Sequence, residues 1–289
     1  MSRRSWLALL LGLAISPLAW GQALQVEDDS GAQVRLPRPA TRILALSPHG
    51  AELAFAAGAG DLLVGVTAWA DYPPAAGRLP QVGDATHLNR ESLLLLQPDL
   101  VLAWPDGNRV QDLAWIERQG IPLYRSAPRR LADIPRTLRD LGRLTARDSG
   151  EAAARAFEER LAGLRTRYAD NPPRQVFYQL WSRPLMTLGQ APLFDETLAL
   201  CGARNLFGLL PVAAPSLSRE AVILANPDAI LADQEQADPF AAWRRWTQVT
   251  AVADGRLLAI PADLLQRPTP RLLDGVEQLC EGLRTIPPG

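Results

Sequence analysis

Residues 89–103 read N-R-E-S-L-L-L-L-Q-P-D-L-V-L-A, and residues 218–232 read S-R-E-A-V-I-L-A-N-P-D-A-I-L-A. Seven of the fifteen aligned positions are identical, and the two stretches begin 129 residues apart. Each opens on a helix N-cap residue, Asn89 or Ser218, whose side chain can accept from the first-turn backbone N–H groups. A Glu and a short apolar run follow. Pro-Asp then breaks the helix, because proline lacks the donor N–H and clashes with the preceding turn. An apolar strand comes next. Beyond each copy a second short strand follows a glycine, at 120–124 and at 255–260. Other strands open the two halves, at 42–47 and 174–180. Strands alternating with helices imply parallel α/β sheets. Two copies of one unit, without a 20–50-residue period, imply a pair of similar lobes rather than a repeat array.

Working outward, residues 148–170 carry apolar side chains at 154, 157, 161, 164 and 168, the 3-4 spacing of one helical face. Glu151/Arg155 and Arg155/Glu159 are i,i+4 pairs. Asn171-Pro172-Pro173 ends the run. The spacing predicts one helix of about 20 residues, roughly 30 Å long, joining the lobes and limiting their hinge motion. The expected organisation is a signal segment over 1–23, a first α/β lobe over 24–127, a linking region over 128–172 that contains this helix, and a second α/β lobe over 173–289.

The composition excludes several functions. The chain has 289 residues with 30 basic side chains, all arginine, against 31 acidic ones. That near-neutral balance lacks the basic footprint of a nucleic-acid binder. Two His and two Cys, far apart, cannot build a zinc finger or an iron–sulfur site. With no lysine there is no Walker lysine and no Schiff base. No G-x-S-x-G elbow is present, and Ser47-Pro48-His49 are adjacent in sequence, which is not triad geometry. The expectation is a binding protein without an enzymatic activity or a resident cofactor.

The N-terminus, M-S-R-R followed by an apolar run of about ten residues, Pro17 and small residues, reads as a secretory signal cleaved after Gly21 or Ala23. The apolar run falls short of the ~20 residues a membrane helix needs. The mature chain is therefore expected to be exported, soluble and periplasmic. Cys201 and Cys280 then meet an oxidising compartment, where two lone cysteines most simply pair; two buried thiols are the alternative.

An exported bilobal α/β chain with one connecting helix resembles the substrate-binding proteins of ABC importers. Within them it resembles the helical-backbone class that carries corrinoids, haem and ferric siderophores, and most nearly its cobalamin-binding branch. The resemblance spans residues 41 to about 284. It rests on S-P-H-G-A-E-L-A-F-A-A-G (47–58), G-V-T-A-W-A-D-Y-P-P-A-A (65–76), L-P-Q-V-G (79–83), Q-P-D-L-V-L-A-W (97–104), L-A-L-C-G-A-R-N-L-F (198–207) and P-A-D-L-L-Q-R-P-T-P-R (261–271). It implies cobalamin or another corrinoid as cargo, held by a monomer between its lobes. It also implies a partner, a membrane ABC permease dimer with its ATPase subunits. Haem or a ferric siderophore in the same fold is the alternative, with Tyr72 or His87 on iron in the haem case.

The same resemblance assigns residues. Trp69, Trp104, Asp263 and Arg267 fall on ligand-binding positions, with Asp263 and Arg267 also able to pair with each other. Met186 stands where the family has a Phe, and Trp181 nearby supplies aromatic surface. Ala85 and Ala214 stand where the family has Trp. Glu91 and Glu220, one per lobe, fall at permease-docking positions; as first-turn acids they also stabilise their helix dipoles. Trp69 also reads as a core strand residue, whereas Trp115, Trp243 and Trp246 lie in helical stretches and read as packing. His49 and His87, lone residues in polar loops, read as solvated, with cobalt ligation by either left open.

Overall fold

The computed structural model describes residues 23–84 and 86–284. The signal segment, apart from Ala23, and Ala85 lie outside them. An antiparallel hairpin comes first, β1 (Leu24–Glu27) and β2 (Gln33–Leu36). The first lobe continues with β3 (Ile43–Ala45), α1 (Pro48–Ala56), β4 (Leu63–Val66), α2 (Arg90–Leu96), β5 (Leu100–Ala103), α3 (Val110–Arg118) and β6 (Leu123–Arg125). Two helices then link the lobes, α4 (Asp133–Thr145) and α5 (Ser149–Arg167). The second lobe holds β7 (Arg174–Gln179), a small hairpin of β8 (Trp181–Ser182) and β9 (Leu185–Met186), α6 (Pro192–Leu200), β10 (Ala203–Asn205), α7 (Arg219–Ala225), β11 (Ala229–Asp233), α8 (Thr250–Ala253), β12 (Leu257–Ile260), α9 (Ala262–Gln266) and α10 (Leu272–Arg284).

The four-stranded sheets run β4-β3-β5-β6 and β10-β7-β11-β12, with every neighbour pair parallel. Taken in chain order the two windings are the same, so the sequence duplication is a duplication of topology. Each Pro-Asp has a structural task. Asn89 and Ser218 cap α2 and α7 through Ser92 N and Ala221 N. Both helices end on a left-handed residue, Gln97 or Asn226, each at φ 45°. The Asp that follows then ties down the lobe's opening strand. Asp99 accepts from the backbone N–H of Thr41 and Arg42, and Asp228 from that of Gln175 at 2.7 Å.

One apolar core crosses the whole molecule. It runs from Ile43, Leu53 and Leu102 of the first lobe, through Ala154, Phe157, Leu161, Leu164 and Tyr168, to Val176, Leu198, Val276 and Leu279 of the second. The predicted face of the linking helix is the face that is buried. Two smaller clusters fill the outer sides of the sheets, around Leu93 and Val101 and around Val222 and Trp243. Cys201 and Cys280 form a disulfide across a separation of 79 residues, pinning the end of α6 to α10.

The structure departs from the sequence reading in several places. The linker contains a second helix, α4, packed along α5; Pro135 sits in its first turn, where proline is tolerated. Glu151 does pair with Arg155 at 3.8 Å, but reaches closer to Arg139 of α4, at 2.8 Å, and Arg155 and Glu159 form no ion pair among the described residues. Trp243 and Trp246 lie in turns rather than a helix, although Trp243 is fully buried and donates to Gln179. His49 is not a solvated loop residue. It sits in the first turn of α1, 4% exposed, with Nε2 3.3 Å from the Ser126 carbonyl.

Two outcomes are expected. A methyl group on Gly150 of α5 would stand 2.5 Å from the Leu138 carbonyl oxygen and 2.7 Å from Gly142 Cα, whereas one on Gly163 meets nothing within 4 Å. Gly150→Ala should therefore lower unfolding stability in urea by about 1–3 kcal/mol through the forced separation of α4 and α5. Gly163→Ala should be neutral, or stabilise by up to ~1 kcal/mol through helix propensity. Equal effects would contradict this packing. Second, burial drives the His49 imidazole down to about 4, against a partial upward pull from the Ser126 carbonyl, and the charge of Arg267 adds to the lowering. The native state thus stays neutral while the unfolded chain takes a proton. Stability carried by His49 is complete above its unfolded pKa of about 6.5 and is lost as pH falls toward 4, by on the order of 3 kcal/mol. His49→Gln should flatten the stability–pH curve between pH 6.5 and 4; parallel curves would refute the burial argument.

Candidate functional site

A cleft of about 490 Å³ lies between the lobes. The first lobe lines it with Pro48, His49, Trp69, Asp71, Trp104, Asp106, Ala127 and Pro128, and the second with Leu193, Glu235, Ala262, Asp263, Gln266, Arg267 and Pro268. Crevices in open α/β sheets form beyond the carboxyl ends of the strands. Trp104 follows β5 directly, Ala127 and Pro128 follow β6, and Glu235 follows β11, so this cleft obeys that rule from both sides.

Two indoles face the space. Trp104 is half-buried and meets His49 edge to face, with ring centroids 5.6 Å apart and planes at 88°. Asn108 fixes its backbone by accepting from Trp104 N at 2.7 Å. Trp69 is 79% exposed and holds the left-handed backbone at φ 67°. A non-glycine residue there stores roughly 1–2 kcal/mol of strain. Its neighbours hold it in place: Ala68 N donates to the Gly83 carbonyl, and Arg267 Nη2 donates to Trp69 O from the other lobe.

Opposite the indoles lies a polar wall. Arg267 Nη1 is 2.8 Å from both Glu52 Oε1 and Asp71 Oδ1. Asp263 pairs with Arg271 at 3.0 Å. The pairing of Asp263 with Arg267 that the sequence allowed is thus replaced by separate partners for each. The cause is local: α9 ends at Gln266, and Arg267 is already extended at φ −93°, ψ 118°, so it leaves the helix face and crosses to the first lobe. Glu52, with a side chain only 3% exposed, is the node of this wall. It also accepts from Thr269 Oγ1 at 3.0 Å and from Arg271 at 3.4 Å. Arg271 in turn lies over the Tyr72 ring, 3.7 Å from its centroid. Burial by itself would raise the Asp71 carboxyl, but the hydrogen bond and charge of Arg267 outweigh it and hold that carboxyl below its usual range. Burial would likewise lower the Arg267 guanidinium, yet Asp71 and Glu52 leave it raised.

The structure therefore brings Trp69, Trp104, Asp263 and Arg267 together around one cavity. Trp181, 61% exposed, and half-buried Met186 face each other across the β8–β9 hairpin and lie outside the lining of that cavity. Glu91 and Glu220 are exposed on α2 and α7, away from the cleft. Exposed His87 donates its backbone N–H to Asp84 and lies outside the lining as well. Sequence reasoning missed Glu52, Gln266 and the buried state of His49. Glu52 did leave a signal, being the lone charged side chain of α1, directly before the apolar run L-A-F-A-A. No group of three or more His, Cys, Asp or Glu side chains suited to a metal ion occurs among the described residues. No described helix is long and apolar enough to cross a membrane.

Comparison with known proteins is consistent with this geometry. The chain is 40% identical over 250 residues to the vitamin B12-binding protein of Vibrio cholerae, covering 86% of this chain and 91% of that one. The crystal structure of the Vibrio cholerae periplasmic vitamin B12-binding protein superimposes with a TM-score of 0.82, covering 98% of its chain at 40% identity. The apo periplasmic heme-binding protein RhuT of Roseiflexus sp. RS-1 superimposes with a TM-score of 0.73 at 26% identity, over 85% of this chain and 98% of that one. Residues 43–264 match the model of the periplasmic binding protein family, a stretch that spans both sheets and most of the cleft lining, and the chain belongs to that family.

Proposed function

We propose that the protein captures cobalamin, or a related corrinoid, in the cleft between its lobes and delivers it to a membrane ABC permease. The observation that carries this reading is the cleft itself: two indole faces on one lobe stand opposite Asp263, Gln266 and Arg267 on the other. A corrin is a broad apolar ring rimmed by amides. Flat aromatic surface covers its face, and a carboxylate, an amide and a guanidinium pair with its rim. The 40% identity to a vitamin B12-binding protein supports the same cargo. Trp181 and Met186 sit on a hairpin that follows the C-terminal end of the central strand β7, outside the cleft lining, and on this reading offer apolar surface to whatever part of the ligand projects from the cleft. The ligand is cargo, bound and released unchanged, so no catalytic step is assigned and no resident cofactor is needed. Export to the periplasm follows from the signal segment and agrees with the family.

Docking follows from the duplication. Glu91 and Glu220 occupy the same position in the two repeats. Neither forms an ion pair among the described residues, so each lobe offers one free carboxylate to one subunit of a two-fold permease. Charges of this kind steer encounter more than they add affinity.

Titration calorimetry with cyanocobalamin should give saturable one-to-one binding. Trp69→Ala should weaken that binding roughly tenfold or more, about 1.4 kcal/mol, without moving the thermal midpoint. Trp115→Ala, remote from the cleft, should leave affinity unchanged. Tight haem binding with none for cyanocobalamin would make haem the cargo instead. A separate expectation concerns the double variant Glu91→Ala, Glu220→Ala. It should retain ligand affinity and lose transport by the reconstituted importer; loss of ligand binding would contradict a docking role for these residues.

A further inference from the structure

The two repeats share more than a carboxylate. Helix α2 buries Leu93 completely, and α7 buries Val222 completely. These are equivalent positions, and each is the one residue of its helix driven into the lobe. At 100° per residue, the positions two before and two after that knob point away from it and share one face, a single turn apart. They are Glu91 and Leu95 on α2, and Glu220 and Leu224 on α7. Leu95 is 76% exposed and Leu224 is 85% exposed. Each lobe thus shows a carboxylate with a bare leucine one turn below it.

The arginine of each repeat keeps that face acidic. Arg90 turns back on its own lobe, 2.8 Å from Asp112 and 5.0 Å from the Trp115 ring. Arg219 does likewise over Trp243 at 5.9 Å. Neither arginine forms an ion pair with the glutamate beside it. A scattered exposed leucine needs no explanation, but the same leucine–glutamate pair at one position of both repeats does. Resting on the docking reading above, we infer that Leu95 and Leu224 are the apolar half of the docking surface. Each permease subunit then meets one lobe with a cationic side chain and an apolar patch beside it. A second copy of this chain fits poorly, since pairing these faces would bring four carboxylates together.

The test uses the mature protein loaded with cyanocobalamin and its own purified permease–ATPase complex in nanodiscs. The double variant Leu95→Gln, Leu224→Gln keeps helix propensity, so its thermal midpoint and cyanocobalamin affinity should match wild type. Its permease Kd should rise tenfold or more with the salt dependence of wild type. Either single variant should give about half that effect in log Kd. The double variant Glu91→Gln, Glu220→Gln should also weaken docking but flatten its salt dependence. Glutamine at 95 and 224 docking as wild type, while glutamine at 91 and 220 fails, overturns the leucine assignment and leaves the carboxylate reading standing. If neither double variant weakens docking, both readings fall. Self-association of wild type that the leucine variant abolishes would make a second copy the occupant and overturn the permease assignment.

Discussion

Phe157, Leu161 and Leu164 of α5, with Tyr168 at its C-terminal cap, are buried in the one apolar core that the two lobes share, and the relative position of the lobes depends on that stripe. Each large side chain removed from water contributes about 1.5–3 kcal/mol. The ion pairs along the same helix, from Arg139 to Glu151 and Glu158 and from Arg160 and Arg167 to Asp274, Glu277 and Glu281, are at least a quarter exposed on each side. Exposed pairs of that kind contribute at most about 1 kcal/mol each. The stripe therefore dominates, and the charges set its register against α4 and α10. Because core residues of both lobes pack on one helix, opening the cleft widely would expose apolar surface. The cleft is therefore largely preformed, which reduces the ordering cost of binding.

Within that frame Glu52 organises the polar wall. A buried carboxylate is tolerable only when its lone pairs are satisfied, and here Arg267, Thr269 and Arg271 all reach it from the second lobe. The contact does two things at once. It clamps the lobes at the floor of the cleft, and it aims Arg267 across to Asp71 and the Trp69 carbonyl. The strained backbone of Trp69 and the placement of the cationic group thus share one cause. The chain contains no lysine, and this node suits arginine: five donors in a planar fork serve three acceptors at once, which an ammonium on a flexible stem does poorly.

The fold was readable because its signals are local. Asn89 and Ser218 cap their own helices, Pro-Asp ends them, and the 3-4 spacing of α5 needs only its own residues. The cleft was readable only in part. Trp104 follows from its place at the end of a strand. The pairing with Asp263 that the sequence allowed does not form, because the chain turns extended at Arg267. His49 was misjudged because its burial is decided by Trp104 and Ser126, 55 and 77 residues further along. The sequence reading left α4 inside the linking region, although Pro135 lies in a first turn, where proline is tolerated, and Gly142 is the close-approach point for Gly150.

The same network decides how the cleft can receive a ligand. Arg267 is already shared among Glu52, Asp71 and the Trp69 carbonyl, so a ligand amide or carboxylate cannot simply add to it. One partner has to yield. Glu52 is 3% exposed, and losing Arg267 would leave only Thr269 and the longer 3.4 Å contact with Arg271 to offset its burial. Asp71 is 66% exposed and can turn into water at little cost. On the proposed reading the exchange runs through Asp71: the ligand would take its place on Arg267, while the Glu52 contact keeps the lobes in register. Binding on that reading needs only a local rearrangement at the cleft wall, consistent with a molecule whose core spans both lobes.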